Sequence, residues 1–183
     1  MCRGRVWGKI NSHSRGTRGL TWALGLHIDM NHAILGEIKQ QPGESADLVA
    51  TIAYGSGKIE IQIIRDDQPI ETTVSVAAAV AGQLQALDQL AKQIAVRDLL
   101  GTYNSGWNEY DQVQADGSLK TVSNPKLSPE EFEKKLSLVA VNVTGRDMIE
   151  FFYEDCGMFW GHSVIVSSLN GLDFQQAIAE LFG

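Results

Sequence analysis

The stretch "MIEFFYEDCGMFWGHSVIVSSL" (148–169) decides the fold that this sequence predicts. Two apolar, β-prone segments flank a short connection that contains Gly157 and Gly161. Glycine supplies the backbone angles that a tight turn between antiparallel strands requires. We therefore expect a β-hairpin here, preceded by another strand over 137–145.

Three further β-prone segments lie in the N-terminal half, at 33–40, 47–55 and 58–66. In the third segment, Ile59 and Ile61 alternate with polar residues, which is the period-2 pattern of a strand with one buried face. Short glycine-containing turns separate the segments. The pattern predicts an antiparallel meander of three strands.

Two helices are predicted between these strand groups. Apolar residues recur three and four positions apart from about 76 to 103, which is typical of an amphipathic helix packed on a core. A short helix begins at Ser128, where Glu131 completes a capping box. We expect residues 108–127 to form a surface loop, and the tail 173–183 to form a short helix in preference to an edge strand.

The order β-β-β-α-α-β-β-β predicts an α+β domain. We expect an antiparallel sheet of about six strands, with the helices packed on one face, over residues 30–183. Residues 1–23 carry five basic side chains and no acidic one, whereas the rest of the chain carries 10 basic and 22 acidic residues. We expect residues 1–29 to be a basic, disordered leader or upstream sequence, with Met30 as the true start.

The charge and composition narrow the possible partners. An acidic main domain repels phosphate backbones, so we expect it to bind no nucleic acid, and a protein partner would fit better if it were basic. No apolar run approaches the roughly 20 residues needed to span a bilayer. Two cysteines far apart in the chain do not form a disulfide framework, which favours a cytoplasmic location.

Sequence motifs for cofactors are missing. The chain contains neither a phosphate-binding loop nor a dinucleotide-binding glycine motif after a strand. Of four histidines, only His162 lies well within the predicted domain, which argues against a zinc site. We expect no cofactor and no metal.

The hairpin connection contains the one combination of residues that suggests catalysis. Strand pairing would bring Glu154 or Asp155 near His162, and a carboxylate beside an imidazole supplies the elements of general acid–base catalysis. The structural interpretation is favoured, because Phe159 and Trp160 are large enough to anchor the turn over the end of the sheet. A binding surface is the second interpretation, and a catalytic site is the third.

Tyr103, Asn104 and Trp107 form a second candidate segment, which glycines interrupt. A tryptophan buried beneath a loop is the ordinary outcome. If Trp107 were instead exposed beside Trp160, the pair would form a recognition patch, because interface anchors favour Trp and Tyr. We name Trp160, Phe159, Trp107, Asn104 and Tyr103 as candidate binding residues.

The segments "LLGTYNSGW", "LSPEEFEKKLSLVAVNV" and "DMIEFFYEDCGMFWGHSVIV", with a closing "ELFG", resemble a bacterial family, domain of unknown function 2262. The matching residues are Tyr103, Asn104 and Trp107, then Ser128 and Phe132, then Phe159 through His162. The resemblance spans roughly 33–183 and implies a bacterial, cytoplasmic α+β domain. It implies no activity and no catalytic residue.

Two hypotheses for function follow. The first is a non-enzymatic module for protein–protein interaction, with an immunity-like or regulatory role as one form. The alternative is a small hydrolase or other small-molecule enzyme that uses His162 with Glu154 or Asp155. The alternative predicts a concave pocket beside the hairpin.

Overall fold

The computed structural model of the chain describes residues 30–41 and 47–183. The expectation of a disordered leader over 1–29 falls outside the described residues. Within these ranges, the chain forms ten strands, three α-helices and one π-helical turn. They are β1 (Met30–His32), β2 (Gly36–Gln40), β3 (Leu48–Tyr54), β4 (Gly57–Ile64), α1 (Ile70–Gly82), α2 (Leu84–Thr102), the π-helical turn (Tyr103–Trp107), β5 (Glu109–Val113), β6 (Leu119–Ser123), α3 (Pro129–Lys135), β7 (Ser137–Thr144), β8 (Met148–Glu154), β9 (Ser163–Ser168) and β10 (Ile178–Phe182).

Eight of these strands form one sheet, in the order β1-β2-β3-β4-β7-β8-β9-β10. The α+β class is confirmed, but the prediction of about six antiparallel strands is wrong, because the sheet is larger and mixed. Strands β4 and β7 run parallel, with Glu60 opposite Ala140 and Ile64 opposite Thr144. Parallel neighbours require a long crossover connection, and the helices between β4 and β7 supply it.

The predicted long helix is two helices. Helix α1 begins at Ile70, earlier than expected, and helix α2 follows it after a break at Gln83. Gly82 weakens the helix at this point, because a residue without a Cβ loses more conformational entropy on folding. Helix α2 also runs through Gly101 and continues into the π-helical turn, where Asn108 N–H donates to the Tyr103 carbonyl at 3.0 Å.

The capping box of α3 is present as predicted. The Ser128 hydroxyl accepts the Glu131 N–H at 3.2 Å, and the Glu131 carboxylate accepts the Ser128 N–H at 2.8 Å. The expected surface loop over 108–127 contains the two-stranded hairpin β5–β6. The preference for a helix in the tail is wrong, because residues Ile178–Phe182 form the edge strand β10.

The core lies between one face of the sheet and helices α1 and α2. Alternate residues of the central strands point into it, and Ile61, Val141, Phe151 and Val166 are each fully buried. The helices contribute small residues such as Ala77, Ala91 and Ala95, all at 0% exposure, which let the helices approach the sheet closely. Full burial of a larger apolar side chain, such as Ile61 or Val141, stabilises the fold by roughly 1.5–3 kcal/mol.

The outer edge of β10 is partly covered by side chains of α2. The Asp98 carboxylate accepts the Ala179 N–H at 2.9 Å, and the Arg97 guanidinium donates to the Ala177 carbonyl at 2.7 Å. Arg97 also donates to both Asp98 oxygens, and this contact is the main reason that the pKa of Asp98 lies below its usual range. Pairing of this kind blunts an exposed strand edge against association with another chain.

Candidate functional site

The connection between β8 and β9 is organised by the carboxylate of Asp155. One carboxylate oxygen accepts the Gly157 N–H at 2.9 Å, and the other accepts the Phe159 N–H at 2.5 Å. The Asp155 side chain is buried within the turn, at 6% exposure of the residue. An aspartate that bonds the backbone N–H groups just after it stabilises a turn, so this carboxylate fixes the path of the chain.

Two neighbouring residues in this turn differ in their exposure to solvent. Phe159 is fully buried, whereas Trp160 is 53% exposed. The backbone of Trp160 has φ of 52°, in the left-handed region that bulky side chains rarely adopt. The turn therefore holds the indole of Trp160 towards solvent in a strained conformation.

Seven rings from the α2–β5 region, from α3 and from the β8–β9 turn contact one another and form an aromatic cluster. The Trp107 ring lies at its centre, with centroids 5.5 Å from Phe159, 4.8 Å from Trp160 and 5.3 Å from the His162 ring. The Phe159 ring contacts Tyr103 and Phe132 edge-on on the buried side. The cluster comprises Tyr103, Trp107, Tyr110, Phe132, Phe159, Trp160 and His162.

His162 closes the turn. Its Nδ1 lies 2.8 Å from the Phe159 carbonyl oxygen, and its backbone N–H donates to the same oxygen at 3.1 Å. Because a carbonyl oxygen only accepts, this contact places a proton on Nδ1. The ring stands edge-on to Trp107, with the planes 82° apart.

The three candidate catalytic residues are close along the chain, but the structure does not pair either carboxylate with the imidazole. In the described part of the chain, no hydrogen bond or ion pair joins His162 to Glu154 or to Asp155. Asp155 bonds the turn backbone, His162 bonds the Phe159 carbonyl, and Glu154 lies half-buried at the end of β8. This arrangement fixes a turn and leaves no carboxylate paired with the imidazole.

The candidate binding residues, by contrast, lie together. Tyr103 is buried and Trp107 is half-buried, so Trp107 is neither wholly beneath a loop nor freely exposed. The Asn104 side chain donates to the Leu127 carbonyl at 3.0 Å and accepts the Leu127 N–H at 2.8 Å. Asn104 therefore fixes the segment that carries Trp107.

Tyr110 belongs to this surface and is not among the predicted residues. It is 39% exposed, and its ring contacts Trp160 edge-on at 6.4 Å. It lies on β5, in a segment assigned to a loop from the sequence. The Asp116-Gly117 dipeptide is a turn signal and could have suggested a hairpin in this segment.

A polar site that was not predicted from the sequence surrounds Asp88 on α2. The residue is 5% exposed, and its carboxylate accepts the Tyr54 hydroxyl at 2.7 Å, the Tyr153 hydroxyl at 2.8 Å and the Lys92 ammonium at 2.9 Å. Burial is the main cause that raises the pKa of Tyr54 and of Tyr153. The negative charge of Asp88 raises both pKa values further. We call these four residues the Asp88 cluster. The sequence contained one signal for this site. Tyr153 lies two residues after the inward-facing Phe151, so the two side chains lie on the same face of β8.

Two shallow grooves of the described structure lie at the junction of α1 and α2. The groove beside the Asp88 cluster has a volume of about 530 Å³ and includes Tyr54, Asp88 and Lys92 in its lining. Neither groove is lined by a residue of the β8–β9 turn. Among the described residues, no group of three or more His, Cys, Asp or Glu could hold a metal ion, and no helix is long and apolar enough to cross a membrane.

The comparisons with known proteins bear on identity. The model of a family described as an uncharacterized protein conserved in bacteria, DUF2262, matches residues 47–177, which is well over half of the chain. The match includes all of the aromatic cluster and the Asp88 cluster. No curated protein and no solved structure is significantly similar to the chain. The resemblance predicted from the sequence is thereby confirmed, and the chain belongs to this family of uncharacterized bacterial proteins.

Proposed function

We propose that this protein is a non-enzymatic module that binds another protein through the surface formed by Trp160, Trp107 and Tyr110. The observation that carries the proposal is the 53% exposure of Trp160 on a backbone with φ of 52°. A large side chain in this region costs of order 1–3 kcal/mol in backbone strain. Such strain is typical of positions at functional sites, and Trp and Tyr are enriched among the residues that anchor interfaces.

The surface is held in place before any partner arrives. Trp160 packs on Trp107, and Asn104 ties the Trp107 segment to Leu127 through two hydrogen bonds. Asn108 similarly donates from its side chain to the Asn124 carbonyl at 3.0 Å. Side chains that are already ordered lose less entropy on binding, which favours affinity. An immunity-like or regulatory protein is one form that such a module takes.

The alternative, a small hydrolase that uses His162 with Glu154 or Asp155, has less support. Both oxygens of Asp155 accept backbone N–H groups, and Nδ1 of His162 bonds the Phe159 carbonyl. A general base must lie within hydrogen-bond reach of the group that orients it or of its substrate. The two grooves at the junction of α1 and α2 lie at the other end of α2 from the turn.

Affinity capture from native bacterial lysate tests the proposal. The bait proteins are the wild type, Trp160→Ala, and Leu169→Ala as a control, since Leu169 is an apolar residue with 73% exposure at the far end of β9. We expect a stoichiometric protein partner with the wild type and Leu169→Ala, and its loss with Trp160→Ala. Equal melting temperatures of the baits would show that all are folded. A partner retained by Trp160→Ala, or no stoichiometric partner for any bait, would contradict the proposal.

A further inference from the structure

The face of the sheet that points away from α1 and α2 carries an apolar patch. Side chains alternate along a strand, so the half-buried Phe152 and Ile165, which lie between fully buried neighbours, point outwards, and they are Cα partners on β8 and β9. Ile178 and Phe182 share this face, because their partners on β9 lie two residues from Ile165 on either side. Ile178 is 47% exposed and Phe182 is 51% exposed. An open sheet face is usually polar, so these four side chains, which we call the outer patch, indicate a surface that is covered by another segment.

Carboxylates border the outer patch, and the strand register gives their positions. Glu180 is the Cα partner of Ile165, and Cα partners in an antiparallel pair lie about 4.5–5.5 Å apart. Glu150 shares the outer face two residues before Phe152, and burial raises the pKa of its carboxyl group. Strands β7, β8, β9 and β10 contain neither lysine nor arginine, and the outer face of β4 adds one lysine and one glutamate. Arg146, in the β7–β8 turn, lies roughly 20 Å along β8 from Phe152. An occupant with basic side chains beside apolar ones fits this border.

We propose that the outer patch binds the N-terminal leader of the same chain, through residues 15–22. Residues 1–29 lie outside the described residues, and their sequence has both properties that the patch calls for. Large apolar residues occupy the alternate positions 20, 22, 24, 26 and 28, and no acidic residue occurs before Asp29. Arg15 and Arg18 precede the apolar series. This inference concerns a surface other than the one in the proposed function and does not depend on it.

The register of the sheet places the attachment point of the leader level with the outer patch. Successive Cα partners connect Met30 on β1 with Phe151 on β8 through the strands between them. Strands β1 and β9 are six positions apart in the sheet, which is about 29 Å at the usual spacing between strands. An extended chain covers this distance in about nine residues. A leader that crosses the outer face from Met30 therefore reaches β8 and β9 at about residues 21–23.

This crossing assigns a contact to each kind of side chain. Trp22 falls at β8, where its ring can pack on Phe152, and aromatic pairs stabilise by more than the area they bury. Arg18, four residues earlier, falls at the edge strand β10, where the Glu180 carboxylate can accept a charge-assisted hydrogen bond. A separate basic peptide would present the same chemistry without this fixed spacing from Met30.

Limited trypsin digestion of the full chain provides the test. Trypsin cleaves after arginine, and the rate of cleavage after Arg18, followed by mass spectrometry, reports the fraction of chains in which the leader is undocked. We expect Phe152→Glu and Trp22→Ala each to raise this rate by roughly fivefold or more. Glu180→Gln should raise it about two- to fivefold, as should added salt in the wild type. Val113→Glu, at a 68% exposed position on the β5–β6 hairpin, is the control and should leave the rate unchanged.

A second variant removes the dependence on one half-buried position. Ile178→Glu lies at an exposed site of the edge strand and should accelerate cleavage as Phe152→Glu does. Equal melting temperatures by circular dichroism would show that the accelerated variants are folded.

Three outcomes would overturn the inference. Equally fast cleavage of the wild type and all variants would mean that the leader is disordered, as expected from its composition. Acceleration by Phe152→Glu without acceleration by Trp22→Ala would mean that another segment occupies the outer patch. Slower cleavage of the wild type at higher protein concentration would mean that the leader binds a second copy of the chain instead of its own sheet.

Discussion

Two of the contacts that helix α2 and the segment after it make with the β8–β9 hairpin differ in what they leave exposed. At the Asp88 cluster, a buried carboxylate is matched by two hydroxyl groups and an ammonium. At the aromatic cluster, the turn buries Phe159 fully and yet leaves the adjacent Trp160 more than half exposed. Burial and hydrogen bonding account for the first contact as architecture. In the second contact, they account for the buried Phe159 but not for the exposed Trp160.

The difference shows how a stabilising contact can be separated from a binding surface. A buried carboxylate costs stability unless donors satisfy it, so the Asp88 cluster has a structural reason for each of its members. Trp160 gains little from burial and has an unfavourable backbone angle. A feature that stability does not explain is a candidate for function, and substitutions at the two places should therefore behave differently.

The largest loss of stability is expected from Phe159→Ala. The side chain is fully buried and contacts three other rings, so its removal should lower the free energy of unfolding by about 3–5 kcal/mol. Urea unfolding measures the loss. Phe152→Ala on the outer face of β8 is the matched control, since Phe152 is only half-buried and should cost less. Equal losses at both positions would mean that the aromatic cluster adds nothing to the core.

A loss of about 3 kcal/mol is expected from Asp88→Ala. The change leaves the Tyr153 hydroxyl buried without its carboxylate and removes the partner of Lys92. Thermal and urea unfolding measure the effect, with Gln85→Ala on the exposed side of α2 as the control. A loss below about 0.5 kcal/mol for Asp88→Ala would show that water satisfies the cluster equally well.

A loss of about 1–2 kcal/mol is expected from His162→Ala. The imidazole donates to the Phe159 carbonyl and packs on Trp107, and both contacts disappear. His162→Asn is the informative comparison, because an amide N–H₂ can replace the Nδ1 donor. If the asparagine variant were no more stable in urea than the alanine variant, the hydrogen bond would not be the source of the loss.

Much of the fold could be predicted because local sequence patterns indicate many of its helices, strands and turns. The capping box at Ser128, the alternation of isoleucines in β4 and the glycines of the β8–β9 turn each act within a few residues. The parallel pairing of β4 with β7 depends on where a long crossover returns the chain, which no local pattern states. The prediction of a helix in the tail failed for a related reason. Residues 178–182 form a strand because β9 is available to pair with them.

The site was predictable to a similar extent. The sequence brought Trp107 and Trp160 into consideration together, since aromatic residues beside glycines suggested turns with anchors. It could not show that Asp88, which occurs among polar residues of α2, faces the sheet and meets tyrosines from β3 and β8. Contacts of that kind join residues 34 and 65 positions apart. Only the packing of α2 on the sheet determines them.

The smallest change in stability is expected from Trp160→Gly. Glycine adopts φ of 52° without strain, and the relief of about 1–3 kcal/mol should offset the lost ring contacts with Trp107 and Tyr110, worth about 0.5–1.5 kcal/mol each. Urea unfolding should therefore give a free energy within about 1 kcal/mol of the wild type, while capture of the partner is lost.

Gly157→Ala calibrates the backbone contribution to this result. Gly157 has φ of 81°, and an added Cβ would meet nothing within 4 Å, so its substitution measures the cost of a left-handed backbone alone. If Trp160→Gly instead cost more than about 2 kcal/mol, the indole would be part of the architecture in the same sense as Asp88. The contrast between the two contacts of the hairpin would then disappear, and with it the observation on which the proposed binding function rests.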